Sequence, residues 1–155
     1  MMYQVYREQK LKCTKEELWD FISSPENLQR ITPKEMGFQI VSAHLPEKMY
    51  PGMMISYKVS PIGGFRMNWV TEITQVESME FFIDEQRVGP YRLWHHEHRL
   101  IQEDDGVLMT DLVSYLPPFG FLGRIANGLF IKKRLEAIFD YRERIMTEIF
   151  PEPGR

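Results

Sequence analysis

Cysteine is almost missing from this chain of 155 residues. Cys13 stands alone, which excludes an internal disulfide and fits a reducing compartment, so a cytoplasmic location is expected. A dominant charge of one sign is missing too. Lysine and arginine number 19, aspartate and glutamate 22, and the net charge is −3. Such a chain has no broad basic field with which to hold nucleic acid through its phosphates. No apolar run approaches the length of a bilayer span, which excludes stable membrane insertion by a helix. The first residues, Met1-Met2-Tyr3-Gln4-Val5-Tyr6-Arg7-Glu8, hold no apolar core of a signal peptide. No HExxH, cysteine pair or GxSxG elbow is present, so no metal, cofactor or catalytic nucleophile is advertised. Cys13 itself, at a strand end, reads as core.

What is present is enough for one folded unit. Hydrophobic residues make up 43% of the chain, and the expected organisation is a single domain over 1–150 with a disordered tail at 151–155. Charge is uneven: the chain is acidic up to residue 118 and mildly basic over 119–150.

Residues 3–13 alternate. Tyr6, Glu8, Lys10 and Lys12 fall on one face, and Val5, Arg7, Gln9, Leu11 and Cys13 on the other, which predicts a half-buried strand. Two inward residues, Arg7 and Gln9, are polar, and a buried arginine needs a partner. Thr14-Lys15-Glu16-Glu17 is a capping box that starts a helix with Leu18, Phe21 and Ile22 on its apolar stripe. Ser24-Pro25 restarts a short helix with Ser24 as N-cap, anchored by Leu28 and Ile31 and ended by Pro33.

From 38 to 116 the pattern is all strand, with strands expected near 38–45, 53–60, 65–76, 79–88, 91–103 and 107–116. Gly63-Gly64, Gly89-Pro90 and Asp104-Asp105-Gly106 supply hairpin turns. After Pro117-Pro118 a helix is expected to run to about Phe150. Ile131, Leu135, Ile138, Arg142, Ile145 and Ile149 recur along it every three or four residues. A long straight helix against a curved sheet does not match it everywhere, so a cavity is expected between them.

The densest chemistry lies in Phe81–His98, which holds three of the four histidines. On a regular strand Trp94, His96, His98 and Leu100 share one face, and His95, Glu97 and Arg99 the other. The first set mixes apolar and titratable groups, as a ligand pocket does. His96 and His98 on one face could also chelate zinc, with Asp111, Asp84 or Glu85 as third ligand, or serve acid–base chemistry beside a carboxylate.

The sequence Asp84-Glu85-Gln86…Gly89-Pro90-Tyr91…Trp94…His96…His98 resembles a pattern carried by the bacterial "ligand-binding SRPBCC domain" branch of the SRPBCC (START / Bet v 1-like) superfamily, sometimes labelled cell division inhibitor. Asp111, Val113 and Tyr115 followed by Pro118 and Gly120 are similar to its Asp-x-Val-x-Tyr strand and Pro-x-Gly turn. Ile31-Thr32-Pro33, Met36-Gly37-Phe38 and Ile138-Phe139-Asp140-Tyr141-Arg142 also fit.

The resemblance covers essentially the whole chain. It implies an α+β helix-grip fold, in which a seven-stranded curved antiparallel sheet wraps a long C-terminal helix, with two short helices after the first strand. It also implies that the first and last strands are neighbours, so that Arg7 would pair with Asp111 and a histidine would complete the network. The superfamily includes lipid carriers, hormone receptors and polyketide cyclases, and the fold alone does not choose among them.

The expected function is binding of a mainly apolar small molecule, lipid-like, aromatic or polyketide-like, between sheet and helix. Candidate ligand-binding residues are Arg7, Tyr57, Trp69, Asp84, Gln86, Trp94, His96, His98, Asp111 and Tyr115. Thr71 and Ile73 share the inward face with Trp69. For the strand 79–88, either Asp84 and Gln86 or Glu85 and Arg87 face inward. The alternatives are a cyclase or dehydratase using His98 and Asp111 as its acid–base pair, and a regulatory module that binds another protein. Two apolar segments, Met49–Met54 with Pro61–Phe65 and the glycine-bearing stretch Leu116–Phe130, are candidates for the cavity's entrance. In the second, a mobile gate touching a membrane is the alternative to plain core packing, and Lys132-Lys133-Arg134 could meet acidic headgroups.

Overall fold

The computed structural model describes residues 2–60 and 64–151. Residues 61–63, which include the first glycine of the expected Gly63-Gly64 turn, and most of the expected tail therefore lie outside the described residues.

Strand β1 (Tyr3–Leu11) alternates as its sequence requires, with Val5, Gln9 and Leu11 buried. Helix α1 (Lys15–Ile22) starts at the expected capping box. Thr14 Oγ1 accepts from the Glu17 amide at 3.1 Å and the Glu17 carboxylate accepts from the Thr14 amide at 2.9 Å. The short helix expected after Ser24 is a tighter 3-10 turn at Pro25–Gln29, and a second 3-10 turn, not expected from the sequence, follows at Lys34–Met36. Ser24 does not cap the first of them, because its hydroxyl donates back to the Asp20 carbonyl at 2.8 Å.

Six strands follow: β2 (Gln39–Ile40), β3 (Met53–Val59), β4 (Met67–Glu77), β5 (Phe81–Val88), β6 (Leu93–Glu103) and β7 (Gly106–Leu116). Of the strand expected over 38–45, only two residues pair. The sheet is antiparallel throughout, in the order β1-β7-β6-β5-β4-β3-β2. The first and last strands are thus neighbours. Register shifts at Val70/Thr71 and Ile73/Gln75 bend the β4–β5 pair, as an extra residue in one strand does.

The C-terminal helical run is continuous from Gly120 to Ile149. It comprises α2 (Gly120–Ala126), a wide π-turn (Asn127–Ile131) and α3 (Lys132–Ile149), and is about 45 Å long at the usual rise per residue. The helix-grip fold expected from the sequence is the fold observed.

The core has two lobes. One gathers Leu11, Leu18, Phe21, Met53, Ile73, Leu100 and Met146 beneath α1 and the end of α3. The other gathers Val5, Val59, Trp69, Tyr91, Tyr115, Leu135 and Phe139 nearer the start of α3. Met49 and Met53 belong to the first lobe, so that part of the Met-rich segment is core filler and not a cavity mouth.

A buried histidine–aspartate square beside an aromatic cavity

Strand pairing alone brings four titratable side chains together. Asp84 on β5 stands opposite His96 on β6, and His98 stands opposite Asp111 on β7. All four point to the concave face. The hydrogen bonds run diagonally: His98 Nε2 to Asp84 Oδ2 at 2.8 Å and His96 Nε2 to Asp111 Oδ1 at 3.0 Å. The direct cross-strand approaches are close as well, with His98 Nδ1 2.9 Å from Asp111 and His96 Nδ1 3.4 Å from Asp84.

The fifth member comes from the helix. Arg142 Nη1 lies 3.4 Å from Asp111 Oδ1, and Nη2 lies 3.3 Å from His98 Nδ1. His96, His98, Asp111 and Arg142 are all buried. The square sits between the two lobes of the core. Phe82 of one lobe stacks on His98 with centroids 4.1 Å apart, and Phe139 of the other meets His96 edge-on at 5.6 Å.

Electrostatics keeps both carboxylates ionised. Burial pushes the Asp111 carboxyl up, but the Arg142 guanidinium and hydrogen bonds from both histidines outweigh it and hold its pKa well below the usual range. Burial acts on Asp84 in the same way, and the charge and hydrogen bonds of His96 and His98 bring it far down. On His96, burial favours the neutral ring, yet Asp84's charge and the hydrogen bonds to Asp111 and Asp84 win and raise its pKa. Each buried carboxylate is thus matched by a guanidinium or imidazole partner, the condition under which buried charges are tolerable.

Next to the square is a cavity of about 160 Å³. Its wall includes Tyr57, Trp69, Tyr91, Trp94, Leu135 and Phe139, and its polar edge is Asp84, His96, His98 and Arg142. The aromatics brace one another. Trp69 and Trp94 meet edge-on at 5.3 Å, and Tyr57 stacks on Trp69 at 6.0 Å. Buried Thr71 fixes two of them, accepting from Trp69 Nε1 at 3.0 Å and sharing a hydrogen bond with the Tyr57 hydroxyl at 2.9 Å. Thr32 and Phe38 border both this cavity and an outer cleft between the 3-10 turns and Tyr141 of α3.

Of the residues singled out from sequence, Tyr57, Trp69, Asp84, Trp94, His96 and His98 thus border the cavity. Four do not. Arg7 stands opposite Asp111 on the sheet as expected, but its side chain turns outward to Asp140, 3.3 Å away on α3. Asp111 lies behind the histidines and buttresses them. Tyr115 donates to Asn127 Oδ1 at 2.8 Å and ties β7 to the π-turn. Gln86 closes the Gly89–Pro90 turn, accepting from the Tyr91 amide at 3.1 Å and donating to its carbonyl at 2.7 Å.

The facing of β5 is resolved in favour of Asp84. Glu85 pairs with His95 at 2.8 Å and Arg87 with Glu72, both on the outer face. Arg142, Tyr91 and Phe139 were not singled out as site residues. Arg142 had left a signal, a lone cation on the apolar stripe of the last helix.

Asp84, His96 and His98 each offer a ligand atom, all within 4.8 Å of one another. Donor chemistry alone would accept a divalent ion there. Arg142, however, sets a permanent positive charge 3.3 Å from one histidine nitrogen, which opposes a second cation. The arrangement reads first as a hydrogen-bonded ionic network able to hold or move a proton.

No protein-family model matches the chain, and no curated protein matches it in sequence. Solved structures do match. A protein from Chromobacterium violaceum superposes with a TM-score of 0.70 at 11% identity, over 97% of this chain and 99% of that one. The ginseng major latex-like protein 151 from Panax ginseng gives 0.67 at 11% identity, over 97% and 98%. A Thalictrum norcoclaurine synthase point mutant, in complex with a transition-state analogue, gives 0.66 at 13% identity, over 96% of each chain. The chain therefore has the helix-grip fold of the Bet v 1-like proteins, and at these identities the likeness is one of fold alone.

Proposed function

We propose that this protein binds a compact, mainly apolar molecule that carries an acceptor oxygen. The observation behind this reading is the aromatic cavity with a buried, hydrogen-bonded His–Asp–Arg cluster along one edge. A void of about 150 Å³ takes a benzene-sized guest, so the ligand is a single ring system or the end of a longer chain emerging past Thr32 and Phe38. Trp69, Trp94 and Tyr57 offer stacking faces. Arg142 Nε is a buried donor with no partner among the described residues, and His96 lies on the same edge. The unpartnered guanidinium N–H suits a carbonyl, phenol or carboxylate oxygen. The Asp84–His98 motif residues support placing the chain in the bacterial ligand-binding branch, and a cytoplasmic location remains part of this reading.

Native mass spectrometry of gently purified protein tests it. An adduct of a few hundred daltons is expected on the parent chain, and its loss on Leu135→Phe, which fills the cavity from the helix side. An empty parent protein, with no backbone amide shifts around Trp69 and Trp94 against a panel of aromatic acids and phenols, overturns the proposal.

A second reading follows from the His98–Asp84 and His96–Asp111 hydrogen bonds. Two imidazoles held by carboxylates at an apolar cavity can pass a proton to a bound substrate. A pH-dependent turnover abolished by His98→Gln would favour an enzyme. Weaker binding in that variant, with no turnover of any bound compound in either protein, would remove the enzyme reading and leave the binding one.

A further inference from the structure

We propose that the outward face of α2 and the π-turn docks on an anionic lipid surface. The helix is inverted with respect to its own protein. Between 119 and 131 its buried residues are Gly123, Asn127 and Ile131, one line along the helix. Its exposed large apolar residues are Phe119, Phe121, Leu122, Ile125, Leu129 and Phe130, with Phe119 80% and both leucines 68% exposed. Singly exposed apolar residues are ordinary, but six within twelve positions form a contiguous patch, and such patches mark interaction surfaces. The patch is carried on strained backbone: Phe119 has φ 62°, in the left-handed region that β-carbons disfavour.

Charge names the occupant. From Leu112 to Leu135 the chain carries no aspartate or glutamate, but it carries Arg124, Lys132, Lys133 and Arg134, in a protein whose net charge is −3. Arg124, Lys132 and Lys133 are exposed. Arg124 lies over the Phe121 ring at 5.7 Å, its stem along the apolar patch. Greasy side chains ringed by cations are the composition of a segment lying in a headgroup layer, where apolar burial and attraction to acidic lipid add together. A second copy of this chain would instead bring the same cations face to face.

Position gives the docking a use. Beneath the patch runs a groove of about 240 Å³ bordered by Pro90, Tyr91, Pro118, Ala126 and Ile131. Tyr91 borders both this groove and the inner cavity. One aromatic ring thus stands between the lipid-facing surface and the aromatic interior. Docking itself does not depend on what the cavity holds.

Flotation with vesicles tests the proposal. The full-length protein is expected to float with phosphatidylcholine vesicles containing about one-third phosphatidylglycerol and to bind pure phosphatidylcholine about tenfold less well. High salt and Lys132→Glu/Lys133→Glu should each weaken binding about tenfold. Phe121→Ser/Leu129→Ser should abolish it while the circular dichroism spectrum and any cavity adduct are unchanged. All these side chains are exposed, so the variants keep the fold. Absence of binding to acidic vesicles overturns the proposal. So does binding indifferent to both double variants, or a concentration-dependent dimer in sedimentation that Phe121→Ser/Leu129→Ser dissolves.

Discussion

Arg142 reaches from the last helix to the last strand and sets its Nη1 3.4 Å from Asp111 Oδ1. This is the ionic contact between helix and sheet at the centre of the fold, and it is buried on both sides. Removing one partner of a buried pair leaves the other charge uncompensated, at a cost of about 3–5 kcal/mol. Arg142→Met is therefore expected to lower the urea-unfolding free energy by about that much. Arg142→Met/Asp111→Asn should recover a large part of the loss. Arg7→Ala is expected to change stability by less than about 1 kcal/mol, because its pair with Asp140 is solvent-exposed. A large effect at Arg7 and a small one at Arg142 would reverse the assignment of Asp111's partner.

That contrast shows where sequence reasoning reached its end. Alternation in 3–13 put Arg7 on the inner side, and strand order put it opposite Asp111, both correctly. Side-chain direction was the missing step. Arginine is long enough to reach out along its edge strand, and Asp140 on the helix offered a solvated partner. The helix-borne Arg142 shared a stripe with isoleucines and leucine and so read as part of a packing surface. The square itself was more legible, since strand period puts His96 and His98 on one face and the family resemblance implied that Asp111 joins them. Asp84 stayed ambiguous because Phe81, Phe82 and Ile83 supply no alternation to set the phase of β5. The inverted apolar face of α2 was visible as composition, but only the fold tells which residues point away from it.

The two signs of shift in the square make opposite pH edges. Asp84 and Asp111 have folded pKa values below their unfolded ones, so their stabilisation is present above the unfolded carboxylate range near 4 and is lost as pH falls through the lowered values. His96 is raised, so its contribution is complete below the unfolded imidazole value near 6.5 and is lost as pH rises through the folded value. Stability of the metal-free protein should therefore be greatest between these edges. Above pH ~6.5 the parent should lose up to about 1.4 kcal/mol per pH unit until His96 titrates, and His96→Gln should flatten that slope. Denaturant unfolding at closely spaced pH values measures both. An unchanged alkaline slope in His96→Gln would place the titration elsewhere.

Thr71 holds the cavity wall through one hydroxyl. It accepts from Trp69 and is bonded to Tyr57, while 4% exposed. Thr71→Val keeps the volume and the β-branch and removes both bonds, leaving an indole N–H and a phenol without their partner. Each such orphan costs about 1–3 kcal/mol when buried. The variant should lose about 2–4 kcal/mol of stability and red-shift the tryptophan emission as Trp69 loosens. Wild-type emission and full stability in Thr71→Val would mean that the aromatic wall is braced by packing alone.

Two glycines of the C-terminal run should respond in opposite directions to the same substitution. A Cβ on Gly123 would stand 1.8 Å from the Pro118 carbonyl oxygen and 3.1 Å from the Pro117 side chain, and the Pro118 backbone cannot yield cheaply. Gly123 is also one of the three residues by which α2 and the π-turn sit on the protein, so Gly123→Ala should lever the segment outward. At Gly128, in the π-turn four positions past Arg124, a Cβ would meet nothing within 4 Å, and the backbone is outside the left-handed region. Gly128→Ala removes unfolded-state freedom without a clash and should stabilise by about 0.5–1 kcal/mol. Amide hydrogen exchange over 119–131 separates the two: faster in Gly123→Ala, slower in Gly128→Ala. If both variants behaved alike, the segment would not be seated on Pro118 through Gly123, and the outward display of Phe121 and Leu129 would lose its structural cause.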